Sequence, residues 1–285
     1  MSFDSALQIV HDALAQLHEN GVELTASATA LQRLAESKGA SGTEAKTMES
    51  DSRIPPEPSP EIRDHPRPSA TKSLSPDTAA KAGRLAEMRP PVLVCTKCPH
   101  LAASRTQVVF GVGNPAAELM FVGEAPGEDE DLQGEPFVGK AGQLLTKIIA
   151  AMGYAREDVY IANVLKCRPD MPPGVTGNRK PRPDEMQTCL PYLRQQIDII
   201  QPRALVALGA TAMEGLLGET QPMNKLRGRW HEFNGIPLMA TYHPAYLLRN
   251  QALSEKRKVW EDMLMVLERL ENPISEKQRG YFLAK

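Results

Sequence analysis

The chain has 285 residues, with 33 Lys and Arg against 35 Asp and Glu, so its formal net charge is −2 at pH 7. This length allows one large domain or two small ones, and the near-neutral charge argues neither for nor against a nucleic-acid partner. The longest apolar runs are too short to span a bilayer, and the N-terminus lacks a basic segment followed by an apolar one. We therefore expect a cytoplasmic protein without membrane association.

The first predicted unit is a short helical hairpin over residues 1–37. Apolar residues recur there at spacings of four and three, which is one face of a helix; they are Phe3, Leu7, Val10, Leu14 and Leu17. An Asn-Gly pair at residues 20–21 then supplies a stop before a second short apolar repeat. Such a hairpin buries little by itself. It either packs on the body, on a protein partner or on its own copy, or it is a marginal helix with no specific role.

Residues 38–90 are predicted to form a disordered linker. Seven prolines lie between residues 55 and 76, among Ser, Thr, Ala and scattered charges, and large apolar residues are almost absent. Such a composition cannot bury enough surface to offset the entropy lost when the chain is ordered. Because prolines favour extended stretches, the linker would keep the N-terminal helices at a distance from the body.

The folded body is predicted over residues 91–272, followed by a C-terminal tail over residues 273–285. Strand-like apolar runs occur at 119–122, 159–164, 204–208 and 237–241, with helical patterns at 142–152, 184–200, 212–217 and 256–270. This alternation indicates an α/β fold: a three-layer sandwich with a central, mainly parallel sheet and helices on both faces. Ligands bind such sheets beyond the carboxyl ends of the strands, so the loops that follow these four strands should form one site.

The only cysteines in the chain are Cys95, Cys98, Cys167 and Cys189. The Cys-x-x-Cys pair can supply two ligands to one metal, and the other two flank a proline-rich loop, so a site there would pin both ends of that loop. In a reducing cytosol this quartet indicates a metal or cluster rather than disulfides. Iron–sulfur clusters and structural zinc both accept four thiolates, and four unrelated buried thiols are a further alternative.

The loop at residues 123–127, Gly-Glu-Ala-Pro-Gly, follows an apolar strand. Its glycines permit close approach of the backbone to a ligand, and such a loop can present amide donors to a base or a phosphate, although many glycine–proline loops only turn a corner. Four acids follow at residues 128–131, and at least two of them fit a solvated acidic loop. Phe137 is an aromatic residue in a loop, where a platform for base stacking is one interpretation.

A second loop reads Tyr-His-Pro-Ala-Tyr-Leu-Leu-Arg at residues 242–249. Two leucines followed by Arg249 suit a wedge that enters a base stack while the arginine holds a phosphate; we expect one of Leu247 and Leu248 to belong to the core instead. Basic residues outnumber acidic ones by five to one over residues 166–183 and by seven to two over residues 225–258. Such stretches are typical of surfaces that bind a phosphate backbone, although a run of charge is usually a solvated face.

Five segments, taken in order, make the chain resemble family 4 of the uracil-DNA glycosylase superfamily, its iron–sulfur branch. They are residues 123–130, 136–145, 160–169, 207–212 and 242–249. The resemblance covers about residues 91–270. It implies that uracil in single- or double-stranded DNA is flipped out of the stack and its N-glycosidic bond is hydrolysed, which releases uracil and leaves an abasic site for base excision repair. It also implies that the four cysteines carry a structural [4Fe–4S] cluster, with zinc as the alternative.

The resemblance also implies a role for each site residue. Phe137 would stack on the uracil. Asn163 would donate its amide N–H to O4 and accept from N3–H, and His243 would stabilise negative charge near O2 as the bond breaks. The remaining pocket residues would be Gly123, Ala125, Gly127, Glu130 and Asn178, and the DNA contacts Arg179, Leu247, Leu248 and Arg249.

Two departures from the best-known uracil glycosylases bear on the mechanism. Ala125 stands where they place an Asp that helps water attack, a lack that family 4 shares, so catalysis would depend on stabilising the leaving group. Glu124 is the nearest candidate to assist the water; Glu130 and Asn178 are secondary, and Glu130 could instead exclude the 5-methyl group of thymine. An insertion around residues 174–177 lengthens the cysteine-flanked loop and is expected to alter DNA contacts.

Two rival functions belong to different classes. One is a non-catalytic DNA-binding module, stapled by a metal or cluster and associated with a replication or repair partner. A degenerate glycosylase should have lost Asn163 or His243, yet both are present. The other is a phosphohydrolase that uses residues 128–131 as metal ligands, which would need further carboxylates at other strand ends.

Overall fold

The computed structural model describes residues 75–172, 174, 175 and 177–283. The hairpin predicted at residues 1–37 and most of the predicted linker, residues 38–74, lie outside the described residues. Within the described part, no helix is long and apolar enough to cross a membrane.

A six-stranded sheet forms the centre of the body. In chain order its strands are β1 (Val112–Gly113), β2 (Leu119–Gly123), β3 (Tyr160–Asn163), β4 (Ala204–Leu208), β5 (Trp230–Phe233) and β6 (Ile236–Thr241). They lie side by side in the order β1-β3-β2-β4-β6-β5. The four inner strands run parallel, and β1 and β5 pair antiparallel at the two edges. The predicted mainly parallel sheet is therefore confirmed.

Helices cover both faces of this sheet. They are α1 (Pro76–Leu93), α2 (Pro99–Ser104), α3 (Glu128–Gln133), α4 (Lys140–Ala151), α5 (Pro183–Ile200), α6 (Ala210–Leu217), α7 (Met223–Leu226), α8 (Pro244–Arg249), α9 (Leu253–Arg269) and α10 (Glu276–Arg279), with a 3-10 turn at Arg156–Asp158. Alternate strand residues point to opposite faces. Met120 and Val122 of β2 share a core with α1, α5 and α6, whereas Leu119 and Phe121 share one with α4 and α9. The predicted three-layer sandwich is therefore confirmed.

The prediction of a disordered linker is wrong for residues 76–90, which form most of α1. The Ser75 side chain caps this helix by accepting from the Thr78 amide, and Pro76 occupies the first turn, where its missing N–H costs nothing. Leu85, Met88 and Val92 recur at spacings of three and four and are buried, and α1 packs against α5. The proline-rich composition upstream concealed this short apolar stripe.

Two further parts of the body follow from local signals. Asn234 and Gly235 both have positive φ, of 50° and 80°, and join β5 to β6 as the two-residue turn that Asn-Gly favours in hairpins. In the tail predicted over residues 273–285, Gln278 of α10 accepts from the indole of Trp260 at 2.6 Å and donates to the carbonyl of Ala151 at 2.9 Å. The described part of the tail is thus fixed to α9 and α4.

The packing of α1 gives a test within one helix. Leu85 is 8% exposed and Leu93 is 40% exposed. We expect Leu85→Ala to lower the free energy of unfolding by about 2 kcal/mol or more, because a buried leucine leaves a cavity, and Leu93→Ala to lower it by less than about 1 kcal/mol. Urea unfolding of the full chain measures both. Equal midpoints for the two variants would mean that α1 is not part of the core.

Candidate active site

The carboxyl ends of the parallel strands open into a cavity of about 350 Å³. Its lining comes from the loops after β2 and β6, the end of β3 and the segment before α5, and from α3, α4, α8 and the loop between α3 and α4. The lining residues are Glu124, Ala125, Pro126, Gly127, Glu130, Phe137, Ala141, Asn163, Asn178, Arg179, His243, Ala245 and Arg249. Of the predicted site residues outside the cysteine quartet, Gly123, Leu247 and Leu248 are therefore not part of the lining.

Asn163, the last residue of β3, provides the polar centre of this cavity. Its side chain is buried, at 1% exposure, and neither its amide nitrogen nor its amide oxygen has a hydrogen-bond partner among the described residues. A buried amide left without partners costs free energy. The side chain is therefore arranged for a ligand that supplies one acceptor and one donor at the same edge.

Gly123 lies opposite Asn163 in the parallel pairing of β2 and β3. A Cβ atom at this glycine would lie 2.4 Å from the Asn163 oxygen and 2.5 Å from the ring of Phe137. Only glycine therefore allows the amide and the ring to approach each other this closely. Gly123 therefore lies behind two lining residues, Asn163 and Phe137, and is not itself part of the lining.

Phe137 forms one wall of the cavity. Its ring centroid lies 5.6 Å from that of His243, and its backbone is left-handed, with φ of 56°, a conformation that costs energy for a side chain of this size. A Cβ at Gly142 would lie 1.8 Å from the Phe137 carbonyl oxygen, so α4 packs closely behind this residue. The aromatic ring is held by the fold rather than free in a loop.

His243 caps the N-terminus of α8. Its Nδ1 accepts a hydrogen bond from the Ala245 amide at 3.1 Å, so the neutral ring carries its proton on Nε2. Burial, and to a smaller extent the nearby charge of Arg249, together lower the pKa of His243 to about 4. At neutral pH the ring is therefore an uncharged hydrogen-bond donor at the cavity.

The loop that carries His243 rests on a buried ion pair. Thr241, at the end of β6, donates to Asp262 of α9 at 2.7 Å, and Arg227 bonds the same carboxylate at 2.7 and 3.1 Å. The arginine also donates to the Lys258 carbonyl at 2.5 Å. Sequence reasoning missed this network. The available signal was a charged residue within the apolar stripe of α9, since Asp262 lies next to the buried Met263.

The acidic candidates differ in their engagement. Glu130 accepts from the backbone amides of Gly127, Val138 and Gly139 at 2.9–3.0 Å, so its carboxylate joins two loops around the cavity. Burial raises the pKa of Glu124, although a hydrogen bond from Thr211 opposes the rise. Glu124 is therefore the better placed of the two to exchange a proton.

Arg179 is not available as the predicted phosphate contact. Its guanidinium bonds both oxygens of Glu185, at 2.7 and 3.0 Å, and also bonds Asp170. Burial alone would raise the pKa of Glu185, but the hydrogen bonds from Arg179 and from the Arg182 amide lower it to about 2. The prediction counted the basic residues of this loop without their buried acidic partners. His100 joins the same cluster at 2.8 Å from Glu185.

The two leucines of the predicted wedge differ in burial, as expected for one core residue and one surface residue. Leu247 is 5% exposed, so the prediction that it contacts DNA is wrong: it lies on the face of α8 that packs inward. Leu248 is 40% exposed and Arg249 is exposed. These two remain predicted contacts.

The four cysteines line one small cavity between α2, α5 and the loop after β3. No three of their sulfurs, all within the described residues, lie within 4.8 Å of one another. Tetrahedral zinc, with bonds of about 2.3 Å, would need sulfurs roughly 3.8 Å apart. Arg105 donates to Cys167 at 3.2 Å and the Lys166 amide to Cys189 at 3.3 Å. Four thiols that face one cavity are a donor set that an iron–sulfur cluster accepts.

Comparison with known proteins agrees with this geometry. The sequence profile of the uracil DNA glycosylase superfamily matches residues 110–264. The chain is 47% identical over 171 residues to a type-4 uracil-DNA glycosylase of Thermotoga maritima, covering 59% of this chain and 85% of the relative. Similar proteins of the same description occur in Archaeoglobus fulgidus (43% over 173 residues; 58% and 83%) and Sulfurisphaera tokodaii (44% over 187 residues; 62% and 80%).

The environment of His243 predicts its titration. We expect an NMR titration of the imidazole to give a pKa of about 4, and Arg249→Gln to raise it only part of the way to the ordinary value, because burial is the larger cause. An unperturbed histidine titrates near about 6.5, so the unfolded chain takes up this proton first. His243 therefore lowers stability as pH falls between about 6.5 and 4. A midpoint near 6.5 in the folded protein would contradict the assigned environment.

Proposed function

The chain belongs to the uracil DNA glycosylase superfamily, and on that basis we propose that it hydrolyses the N-glycosidic bond of uracil in DNA. The target nucleotide is flipped from the stack into the cavity beside Asn163. Free uracil and an abasic site are the products, as in base excision repair. Sites in double- and single-stranded DNA are both proposed substrates.

The observation that carries this proposal is the unpartnered amide of Asn163. Uracil offers an acceptor at O4 beside a donor at N3–H, which matches the amide N–H and the amide oxygen. Cytosine presents the reverse pattern at both atoms and would leave buried groups unpaired, a mismatch that discriminates strongly. The ring of Phe137, at the wall of the cavity, would stack on the base.

The chemical step follows from the state of His243. As the bond between C1′ of the sugar and N1 of uracil breaks, its electron pair moves onto the base, and negative charge grows on O2. The neutral Nε2–H of His243 donates to that oxygen, in a site where a fixed donor is worth more than in water. A water oxygen then bonds C1′ and gives its proton to Glu124 or to solvent.

We propose that Leu248 and Arg249 contact the DNA at the mouth of the cavity, because both are exposed and Arg249 also lines it. The leucine would fill the space left by the flipped nucleotide and the arginine would bind phosphate. Among the described residues Arg249, the last residue of α8, forms no ion pair with a carboxylate, so its guanidinium is available for phosphate.

A DNA substrate and reduced thiols both fit the cytoplasm, where we propose that the protein acts.

We propose that Cys95, Cys98, Cys167 and Cys189 hold a [4Fe–4S] cluster. Four thiols that line one cavity are the donor set of such a cluster. Bound there, the group would supply a structural link between α2, α5 and the loop after β3 rather than chemistry at the base.

Release of uracil from a uracil-containing oligonucleotide tests the function, with strand cleavage by alkali as the assay. We expect His243→Ala to lower the single-turnover rate about 10²-fold or more, as for the loss of one donor to a developing oxyanion. Asn163→Asp should also lower uracil release steeply, because the donor to O4 becomes an acceptor.

The controls separate chemistry from binding and folding. Affinity for undamaged duplex, measured by fluorescence anisotropy, should barely change in either variant because phosphate contacts are untouched. Asn114→Asp is the matched substitution: Asn114 lies next to Gly113, which pairs with Tyr160 at the end of β3 away from Asn163, and among the described residues its side chain acts as an acceptor, from the Ala116 amide. Parental rates in both pocket variants would place the active site elsewhere. DNA binding without uracil release by the parental protein would support the non-catalytic module.

The cysteine site predicts the colour of the protein. Anaerobically purified chain should be brown, with broad absorbance near about 400 nm, and should contain iron and acid-labile sulfide. Because the chain has no other cysteine, Cys189→Ser should reduce both contents. A colourless protein with stoichiometric zinc would contradict the cluster.

A further inference from the structure

The left-handed backbone of Phe137 is held by side chains that lie on either side of it. The carbonyl of Pro136, which precedes Phe137, accepts a hydrogen bond from Arg156 at 2.5 Å. The amides of Val138 and Gly139, which follow it, donate to Glu130 at 2.9 and 3.0 Å. The peptide groups on both sides of the strained residue are therefore fixed by side chains of opposite charge.

Arg156 itself lies behind the wall of the cavity. It belongs to the 3-10 turn that follows α4, is half-buried, and is not among the lining residues. Its second hydrogen bond goes to the hydroxyl of Thr146 in α4, at 3.3 Å, and the charges of Glu135 and Glu130 attract it. The guanidinium thus joins the start of the Phe137 loop to the helix behind it.

We infer that Arg156 is a positioning residue for the proposed reaction, because it holds Phe137 in the left-handed conformation that presents the ring to the base. Left-handed backbone persists only where the surroundings over-determine it. Charge-assisted hydrogen bonds to the backbone are among the stronger restraints available. Without Arg156 the loop can relax to an ordinary backbone conformation, and the stacking surface is lost from the wall while the hydrogen-bonding groups of the pocket stay in place.

This inference rests on the proposed function, so its test has one readout that needs no activity. Fluorophenylalanine is incorporated into the full chain, and the fluorine signal of Phe137 is assigned by its disappearance in Phe137→Leu. Arg156→Ala should shift or broaden that signal and leave the signal of Phe233, on the distant strand β5, unchanged. An unaltered Phe137 signal would overturn the inference whether or not uracil is released.

The second readout is a double-mutant cycle on the single-turnover rate of uracil release. Arg156→Ala should lower the rate about ten-fold or more, and Arg156→Lys should restore part of it. If Arg156 acts through the ring, Arg156→Ala should change the rate less than about two-fold in a Phe137→Ala background. Equal losses in both backgrounds would overturn the inference.

Arg203→Ala is the matched control for folding. Arg203 also donates to a backbone carbonyl, that of Leu270, at 3.3 Å, but it directly precedes β4, at the amino ends of the parallel strands and away from the cavity at their carboxyl ends. Its removal should leave the rate and the Phe137 signal unchanged, and thermal melting of both variants shows whether each remains folded. A rate loss in Arg203→Ala equal to that in Arg156→Ala would show a general effect on folding and would overturn the inference.

Discussion

The cavity depends on one close approach, between the backbone of Gly123 and the side chains of Asn163 and Phe137. Parallel pairing places Gly123 beside Asn163 at the carboxyl ends of β2 and β3, and the absent side chain leaves room that any Cβ atom would take. The amide of Asn163 and the ring of Phe137 can then both face the cavity. Because the backbone sets this spacing, the site is formed before any ligand binds. Burying two unpartnered amide atoms costs free energy, and the close packing of the surrounding sheet offsets that cost.

Buried charge supports this arrangement from behind. Arg179 binds Glu185, Arg227 binds Asp262, and Arg156 binds the carbonyl of Pro136. The two ion pairs add little net stability, since removing the charges from water costs about as much as their attraction returns. Their directional bonds instead fix the loops that carry the pocket residues. Arginines in these loops therefore act mainly as internal braces, and the basic character of a loop overstates its capacity to bind DNA.

Much of the fold was predictable because its strands and helices follow from the local spacing of apolar residues. The inner strands are continuous apolar runs, and Asn163 is the last residue of one of them, while His243 lies two residues after the end of another. Partners distant in sequence could not be predicted: Arg227 meets Asp262 across 35 residues and Arg156 meets Pro136 across 20, and no periodicity records such pairs. The prediction for the start of α1 was wrong for a different reason. The preceding residues are rich in proline, and this composition outweighed the pattern of the three buried side chains of the helix.

The cysteine site and the cavity share one stretch of chain. After Asn163, the amides of Val164 and Leu165 donate to the carbonyls of Gly123 and Glu124 at 3.0 Å, and Cys167 follows two residues later. Beyond the cysteine, Arg168 donates to the carbonyl of Gly177 at 3.0 Å, next to the pocket residue Asn178. A group bound by the thiolates would thus restrain both the strand end that carries Asn163 and the loop that carries Asn178. A metal centre bound by the cysteines can in this way affect the reaction without contacting the base, because it holds the segment that carries the pocket residues.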